Sequence, residues 1–223
     1  MDAERLSEAI DYRFRDEELL VRALTHSSFG AAHNERLEFL GDSVLNCAVA
    51  LELYSKFPGL TEGELSRLRA SLVSQPSLAA AAAAHGLGLH LRLGEGERKT
   101  GGARRPSVLA DALEAVVGAA FLDGGFEAAR TVVRRFFGEA LAGIDPATTG
   151  KDPKTRLQEY LHSRRLPLPQ YSIVATRGEA HELVFRVECE ITALGVRTHG
   201  EGPSRRSAEQ EAARAAYERA TQA

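Results

Sequence analysis

The sequence predicts two domains, an all-helical one followed by a small α+β one. Three observations carry this. Apolar residues recur near a 3.6-residue period almost without a break over residues 6–141. A polar stretch with two prolines and no period, residues 143–153, then interrupts the pattern. Beyond it the pattern becomes the alternation of a strand in segments such as Phe185-Arg186-Val187-Glu188.

Taken in order, residues 15–26 place Leu19, Leu20, Ala23 and Leu24 on one helical face. Residues 34–57 do the same with Leu37, Leu40, Val44, Leu45, Ala48 and Leu51. Helical patterns continue over residues 61–84, 107–122 and 126–141, with Pro58-Gly59 and Gly124-Gly125 as stops. Residues 143–152 are expected to be a flexible linker, which sets the domains at 1–142 and 153–223. The second domain starts with a helix over residues 154–164. Strands follow over 171–175, 183–191 and 196–199. A last helix over 204–221 turns Ala208, Ala212, Ala213, Ala216 and Tyr217 inward, giving the order α-β-β-β-α.

Composition narrows the class. No apolar run is long enough for a membrane span, and Met1-Asp2-Ala3-Glu4-Arg5 does not read as a secretory signal. Two distant cysteines, Cys47 and Cys189, argue against a disulfide or zinc scaffold and fit a reducing cytoplasm. The net charge of −3 gives no hint of a polyanionic partner. Residues 151–223, however, carry 12 Lys and Arg against 10 Asp and Glu, whereas residues 1–150 carry 16 against 21. The basic balance of the second half permits a nucleic-acid partner without requiring one.

Acidic residues are placed unusually. In Glu35-Arg36-Leu37-Glu38-Phe39-Leu40-Gly41-Asp42-Ser43, the acids Glu35, Glu38 and Asp42 share one helical stripe. Like charges at these spacings repel unless something compensates. Residues 108–122 contain only two polar side chains, Asp111 and Glu114, in a helix apolar enough to be buried. Two desolvated carboxylates each cost several kcal/mol unless paired or ligated. Arg67, Arg69, Arg104 and Arg105 offer one solution, a structural salt bridge. A hard divalent cation such as Mg²⁺, which takes oxygen ligands and suits phosphate chemistry, offers the other. The scattered histidines show no zinc spacing.

The segment Asn34-Glu35-Arg36-Leu37-Glu38-Phe39-Leu40-Gly41-Asp42-Ser43 resembles the signature of the ribonuclease III family. Leu109-Ala110-Asp111-Ala112-Leu113-Glu114-Ala115 resembles its second acidic motif, and residues 153–221 resemble a double-stranded-RNA-binding domain. The resemblance implies the helical ribonuclease III fold and a homodimer with one active centre per subunit. It implies hydrolysis of both strands of double-stranded RNA, leaving 5′-phosphate and 3′-hydroxyl ends with short 3′ overhangs. It further implies Mg²⁺, with Mn²⁺ as a substitute, no small-molecule cofactor, and processing of ribosomal RNA precursors and other structured transcripts.

Residue by residue, Glu38, Asp42, Asp111 and Glu114 match the metal-binding acids, and Asp42 and Glu114 the catalytic pair. Glu35 and Glu62 match cleft acids of less settled role, and Phe39 the aromatic that enters the partner subunit. In the second domain Gln158 and His181 match minor-groove contacts, while Arg205, Arg206 and Gln210 stand where phosphate is gripped. Glu209 occupies a position where many such domains carry a third cation, so a weaker phosphate grip is expected. The basic loop over residues 98–105, just before the second acidic motif, is a further RNA-facing candidate. Two competing readings are a duplex-binding protein whose acids only tune stability, and a helical phosphohydrolase of small substrates.

Overall fold

A computed structural model describes residues 10–146, 148–150, 152–178 and 183–222. The chain divides into two compact units, Met1–Thr149 and Gly150–Ala223.

The described part of the first unit is helical. Helix α1 (Glu17–Ala23) starts at Asp16, whose carboxylate accepts from the Glu18 N–H at 2.9 Å. The long helix α2 (Glu35–Lys56) follows and buries Leu37, Val44, Leu45, Ala48 and Val49. The single helical stretch expected over residues 61–84 is two helices, α3 (Glu62–Leu72) and α4 (Gln75–Ala84). Thr61 and Glu64 form a reciprocal capping box at the start of α3, an arrangement worth about 1 kcal/mol. A short helix α5 (Glu95–Lys99) leads to α6 (Pro106–Ala142), which opens on proline, where the missing N–H costs nothing.

The glycine pair read as a stop is a kink. Helical structure resumes after Gly125, whose φ of 76° and ψ of −169° are open to glycine alone. Beside it, the Asp123 carboxylate accepts from the Tyr12 hydroxyl at 2.7 Å and from the N–H groups of Arg15 and Asp16 at 3.0 and 2.9 Å. Burial works against this anion, but the three hydrogen bonds prevail and hold its carboxyl below the usual range.

Helices α2 and α6 form the centre of the unit, and their backbones touch. A Cβ placed on Gly41 would lie 1.8 Å from the carbonyl oxygen of Glu114, and one on Gly118 would lie 2.3 Å from that of Leu37. Only two facing glycines permit this approach. Around the crossing, Leu45, Ala48, Leu113, Val116, Val117 and Ala120 are fully buried.

The second unit follows the expected order. Helix α7 (Pro153–Ser163) precedes β1 (Gln170–Arg177), β2 (Val184–Ile191) and β3 (Val196–Gly202), which form an antiparallel sheet in that order. Helix α8 (Arg205–Gln222) closes the unit. Its alanines Ala208, Ala212, Ala213 and Ala216 are buried as expected, and Tyr217 packs edge-on against Tyr160. Small side chains let α8 lie directly on β3, where the Thr198 hydroxyl donates to the Ala212 carbonyl at 2.7 Å. The opposite sheet face is a charged lattice in which Glu188 meets Arg197 and His199. Both cysteines are free, and no helix of the described residues is long and apolar enough to cross a membrane.

Candidate functional site

The close approach of α2 and α6 sets the acidic residues against one another. Glu38 lies one turn before Asp42 on α2, and Asp111 and Glu114 are one turn apart on α6. Because Gly41 rests on the backbone of Glu114, carboxylate oxygens of Glu38, Asp111 and Glu114 lie within 4.8 Å of one another. All three residues are partly buried.

Asp42 stands at the rim. It is exposed, and its Oδ1 accepts from Asn46 Nδ2 at 3.0 Å. It falls outside the group of three, although its charge reaches both Glu38 and Glu114. Glu35 is exposed at the start of α2, 3.8 Å from His33 Nδ1. Glu62 is exposed on α3, where it accepts from the Ser66 hydroxyl at 2.7 Å. It lines a groove of 640 Å³ with Tyr54, Leu65 and Arg69, and is not gathered with the other acids.

The electrostatics follow from this crowding. Burial, then the charges of Asp42, Glu38 and Asp111, push the Glu114 carboxyl up to about 7. Burial and the neighbouring acids raise Glu38 as well. Burial raises Asp111, and His26 opposes the shift. Among the described residues, no Lys or Arg forms an ion pair with Glu38, Asp42, Asp111 or Glu114. Arg105, one cation the sequence offered, pairs with Glu97 instead. An all-oxygen donor set with excess negative charge and no protein counter-ion fits a hard divalent cation.

A pH dependence follows. The unfolded chain releases the Glu114 proton near its ordinary value of 4.5, whereas the folded chain keeps it until about 7. This group therefore lowers metal-free stability progressively as pH rises through that window. In EDTA, the melting temperature of the parent should fall relative to that of Glu114→Gln between pH 5 and pH 8. Mg²⁺ should raise the parent's melting temperature more at pH 8 than at pH 5, by at least about 2 °C. Parallel pH profiles for the two proteins, with no response to Mg²⁺, would contradict the assignment.

Sequence reasoning missed His26, whose charge reaches Asp111. Its Nδ1 accepts from the Ser28 N–H at 3.1 Å. The Ser28 hydroxyl, 2.8 Å from the same Nδ1, in turn accepts from the Gly94 N–H at 3.0 Å. A lone histidine carries no local signal of such a place. Gly41 and Gly118 were also missed, and they did leave a signal. Glycine inside a helix costs about 1 kcal/mol and usually marks a close approach.

Phe39 is 81% exposed on α2, and Leu122 is 54% exposed. Together with Arg22, Leu37 and Leu40 they line a cavity of 580 Å³. On α5 and in the turn that joins it to α6, Lys99 pairs with Glu95 and Arg105 with Glu97, while Arg98 and Arg104 are exposed.

In the second unit, Gln158 is exposed on α7, and Arg205 and Arg206 are exposed in the first turn of α8. His181 lies outside the described residues. Gln210 is partly buried, and one of its amide hydrogens is engaged with Asp152 Oδ2 at 3.3 Å. Glu209 differs most from expectation. It is 8% exposed, and its carboxylate accepts from Lys154 Nζ at 2.7 Å and Arg205 Nε at 2.8 Å. It is a buried ion-pair partner and does not occupy the exposed face as a substitute for a cation.

Comparison with known proteins agrees with both units. Residues 16–141 match the family model for ribonuclease-III-like domains, and residues 153–219 match that for the double-stranded RNA binding motif. The chain is 62% identical over 212 residues to Ribonuclease 3 of Thiobacillus denitrificans, covering 95% of this chain and 94% of that protein. It is 58% identical over 220 residues to Ribonuclease 3 of Ralstonia nicotianae, covering 99% and 86%. The crystal structure of the ribonuclease III nuclease domain from Campylobacter jejuni is 44% identical with a TM-score of 0.61, covering 65% of this chain and 99% of that one. A second structure of that domain, 45% identical with a TM-score of 0.60 and covering 62% and 97%, is described as flexible in a region involved in dimer formation. The chain belongs to the ribonuclease III family, with its nuclease domain first and its double-stranded-RNA-binding domain second.

Proposed function

We propose that this ribonuclease III-type endoribonuclease cuts both strands of double-stranded RNA using a divalent cation held by Glu38, Asp42, Asp111 and Glu114, with Asp42 joining the site from its rim. Mg²⁺ is the proposed cation and Mn²⁺ its substitute. The observation that carries this is the meeting of three partly buried carboxylates within 4.8 Å, with no Lys or Arg paired to them among the described residues. When bound, the cation supplies Lewis acidity at the phosphate and offsets the charge growing on the leaving 3′ oxygen. The protein groups do the rest. Burial, then the charges of Asp42, Glu38 and Asp111, hold a proton on Glu114 up to about pH 7, so Glu114 would have to release it before its carboxylate could serve as a ligand. Asp42 keeps Oδ1 on Asn46, which leaves Oδ2 to orient an attacking water. Glu35 and Glu62 are assigned to the walls of the RNA cleft.

In the second domain, Gln158 and His181 are assigned to the minor groove, and Arg205, Arg206 and Gln210 to phosphate. The exposed Phe39 supports a homodimer in which this aromatic enters the partner subunit. Residues 143–152, of which Ala147 and Lys151 lie outside the described residues, are assigned as the linker between the domains, and the products carry 5′-phosphate and 3′-hydroxyl ends. Precursors of ribosomal RNA and other structured transcripts in the cytoplasm are the proposed substrates.

The deciding experiment incubates the full chain with a long RNA duplex, the matching single strand and the matching DNA duplex, with Mg²⁺ or EDTA. Cleavage of duplex RNA alone, and only with Mg²⁺, is expected. Equal cleavage of the single strand, or cleavage in EDTA, would sink the proposal.

A further inference from the structure

The buried carboxylate of Glu209 sits between two cations from different helices. Lys154, in the first turn of α7, reaches one oxygen, and Arg205, in the first turn of α8, reaches the other. Beside this pair, Asp152 caps α7 with Oδ1, at 2.8 Å from the Lys154 N–H and 3.1 Å from that of Thr155. Its Oδ2 accepts from Gln210. The amino ends of the two helices are thus joined by two neighbouring side-chain bridges. Lys154 is fixed further by the ring of Tyr171, 4.3 Å from its ammonium nitrogen.

What remains of Arg205 after this pairing is informative. Its guanidinium presents five N–H donors in a rigid plane, and Glu209 takes the one on Nε. The terminal nitrogens are left at the outer edge of a side chain that is 63% exposed. A guanidinium anchored in this way loses less freedom on gripping a phosphate than one that swings. Two arginines in the first turn also oppose the positive end of the helix dipole, and a carboxylate beneath one of them offsets that cost. Lys154 and Gln158 are four residues apart on α7 and therefore share a face. The Glu209 bridge thus sets the phosphate-facing edge of Arg205 relative to the helix that carries Gln158.

We propose that Glu209 is a positioning residue for RNA binding, orienting Arg205 and locking α7 to α8, so that replacing it with a cation weakens the grip on duplex RNA. This rests on the reading of Arg205 as a phosphate contact. It is the opposite of what charge counting gives. Glu209→Lys makes the domain more positive by two charges, which by counterion release alone would tighten binding and steepen its salt dependence.

The test measures dissociation constants of the full chain for a short RNA duplex in EDTA, over a series of salt concentrations. The variants are Glu209→Gln, Glu209→Lys, Arg205→Ala and the double variant Glu209→Gln/Arg205→Ala. Circular dichroism and melting check that each is folded at the assay temperature. Glu209→Gln and Glu209→Lys should each bind about tenfold more weakly than the parent, the size expected when residues share one ion-pair network. The double variant should bind no more weakly than Arg205→Ala, a non-additivity that a general loss of stability would not produce. Should Glu209→Lys fail to fold, Glu209→Gln and the double variant decide the matter. If Glu209→Lys binds as tightly as the parent or more so, with a steeper salt dependence, the proposal is wrong. So it is if the two single effects add. If Arg205→Ala binds like the parent, the phosphate reading of Arg205 fails, and the role of Glu209 falls with it.

Discussion

Replacing Glu114 with glutamine is expected to reduce Mg²⁺-dependent cleavage of duplex RNA by on the order of 10³-fold or more, because loss of the proposed ligating carboxylate would forfeit several kcal/mol of charge stabilisation. Glutamine keeps the shape of the side chain and its contacts with α2. It removes only the charge and one oxygen of the donor set. Duplex binding should stay within about twofold of the parent, since the proposed contacts to phosphate and the minor groove are assigned chiefly to the second domain. Measured single-turnover rates and dissociation constants separate the two effects. Cleavage at the parent rate would remove Glu114 from the centre. An equal loss of binding would point to a structural role for it. The substitution should also abolish the protective effect of Mg²⁺ on melting at pH 8, which links the kinetic result to the carboxylate group itself.

The second large effect concerns a residue with no chemistry. Gly41→Ala is expected to cost several kcal/mol of nuclease-domain stability, in the upper tail for single substitutions. The new methyl would lie 1.8 Å from the Glu114 carbonyl oxygen, and that oxygen belongs to a helix backbone that cannot rotate aside. Helices α2 and α6 would have to separate by about 1–2 Å to restore normal contact. Glu38 would move away from Asp111 and Glu114, and a misplacement of about 1 Å alone can cost 10²-fold in rate. Any folded fraction should therefore be both less stable and less active. Gly63→Ala makes a fair control, because Gly63 lies near the start of α3 with nothing within 4 Å of its Cβ position. There alanine should be neutral or stabilise by up to about 1 kcal/mol. Equal melting temperatures for the two variants would refute the crossing argument.

These two residues show what the sequence could and could not convey. The fold class was legible because helical and alternating periods are local properties, and the alanines of α8 and the strand alternation in β2 lie as their spacing implied. The acids of α6 were legible because charged residues in an apolar helix demand a compensating partner. What spacing fixes, however, is the face of a helix and not the partner across from it. Asp42 shares the stripe of Glu38, yet it leans on Asn46 and stays outside the tight group. Gly124-Gly125 read as an end, since only tertiary contacts decide whether a helix resumes after a kink. Glu209 and Gln210 were placed on the RNA-facing surface by position alone. Arg205, one partner of Glu209, lies four residues away, but Lys154 and the Gln210 partner Asp152 come from more than fifty residues earlier, beyond any local pattern.

The Asp123 carboxylate carries a consequence for observing the protein in motion. It is the acceptor for the backbone amides of Arg15 and Asp16, and it sits two residues before the distorted Gly125. Deuterium uptake at those two amides therefore reports on the bend in α6, from a segment more than one hundred residues away in sequence. The hydroxyl of Tyr12 shares the same acceptor. A titration or fluorescence signal from that one ring would register the same opening, without a probe having to be attached to the helix that carries Asp111 and Glu114.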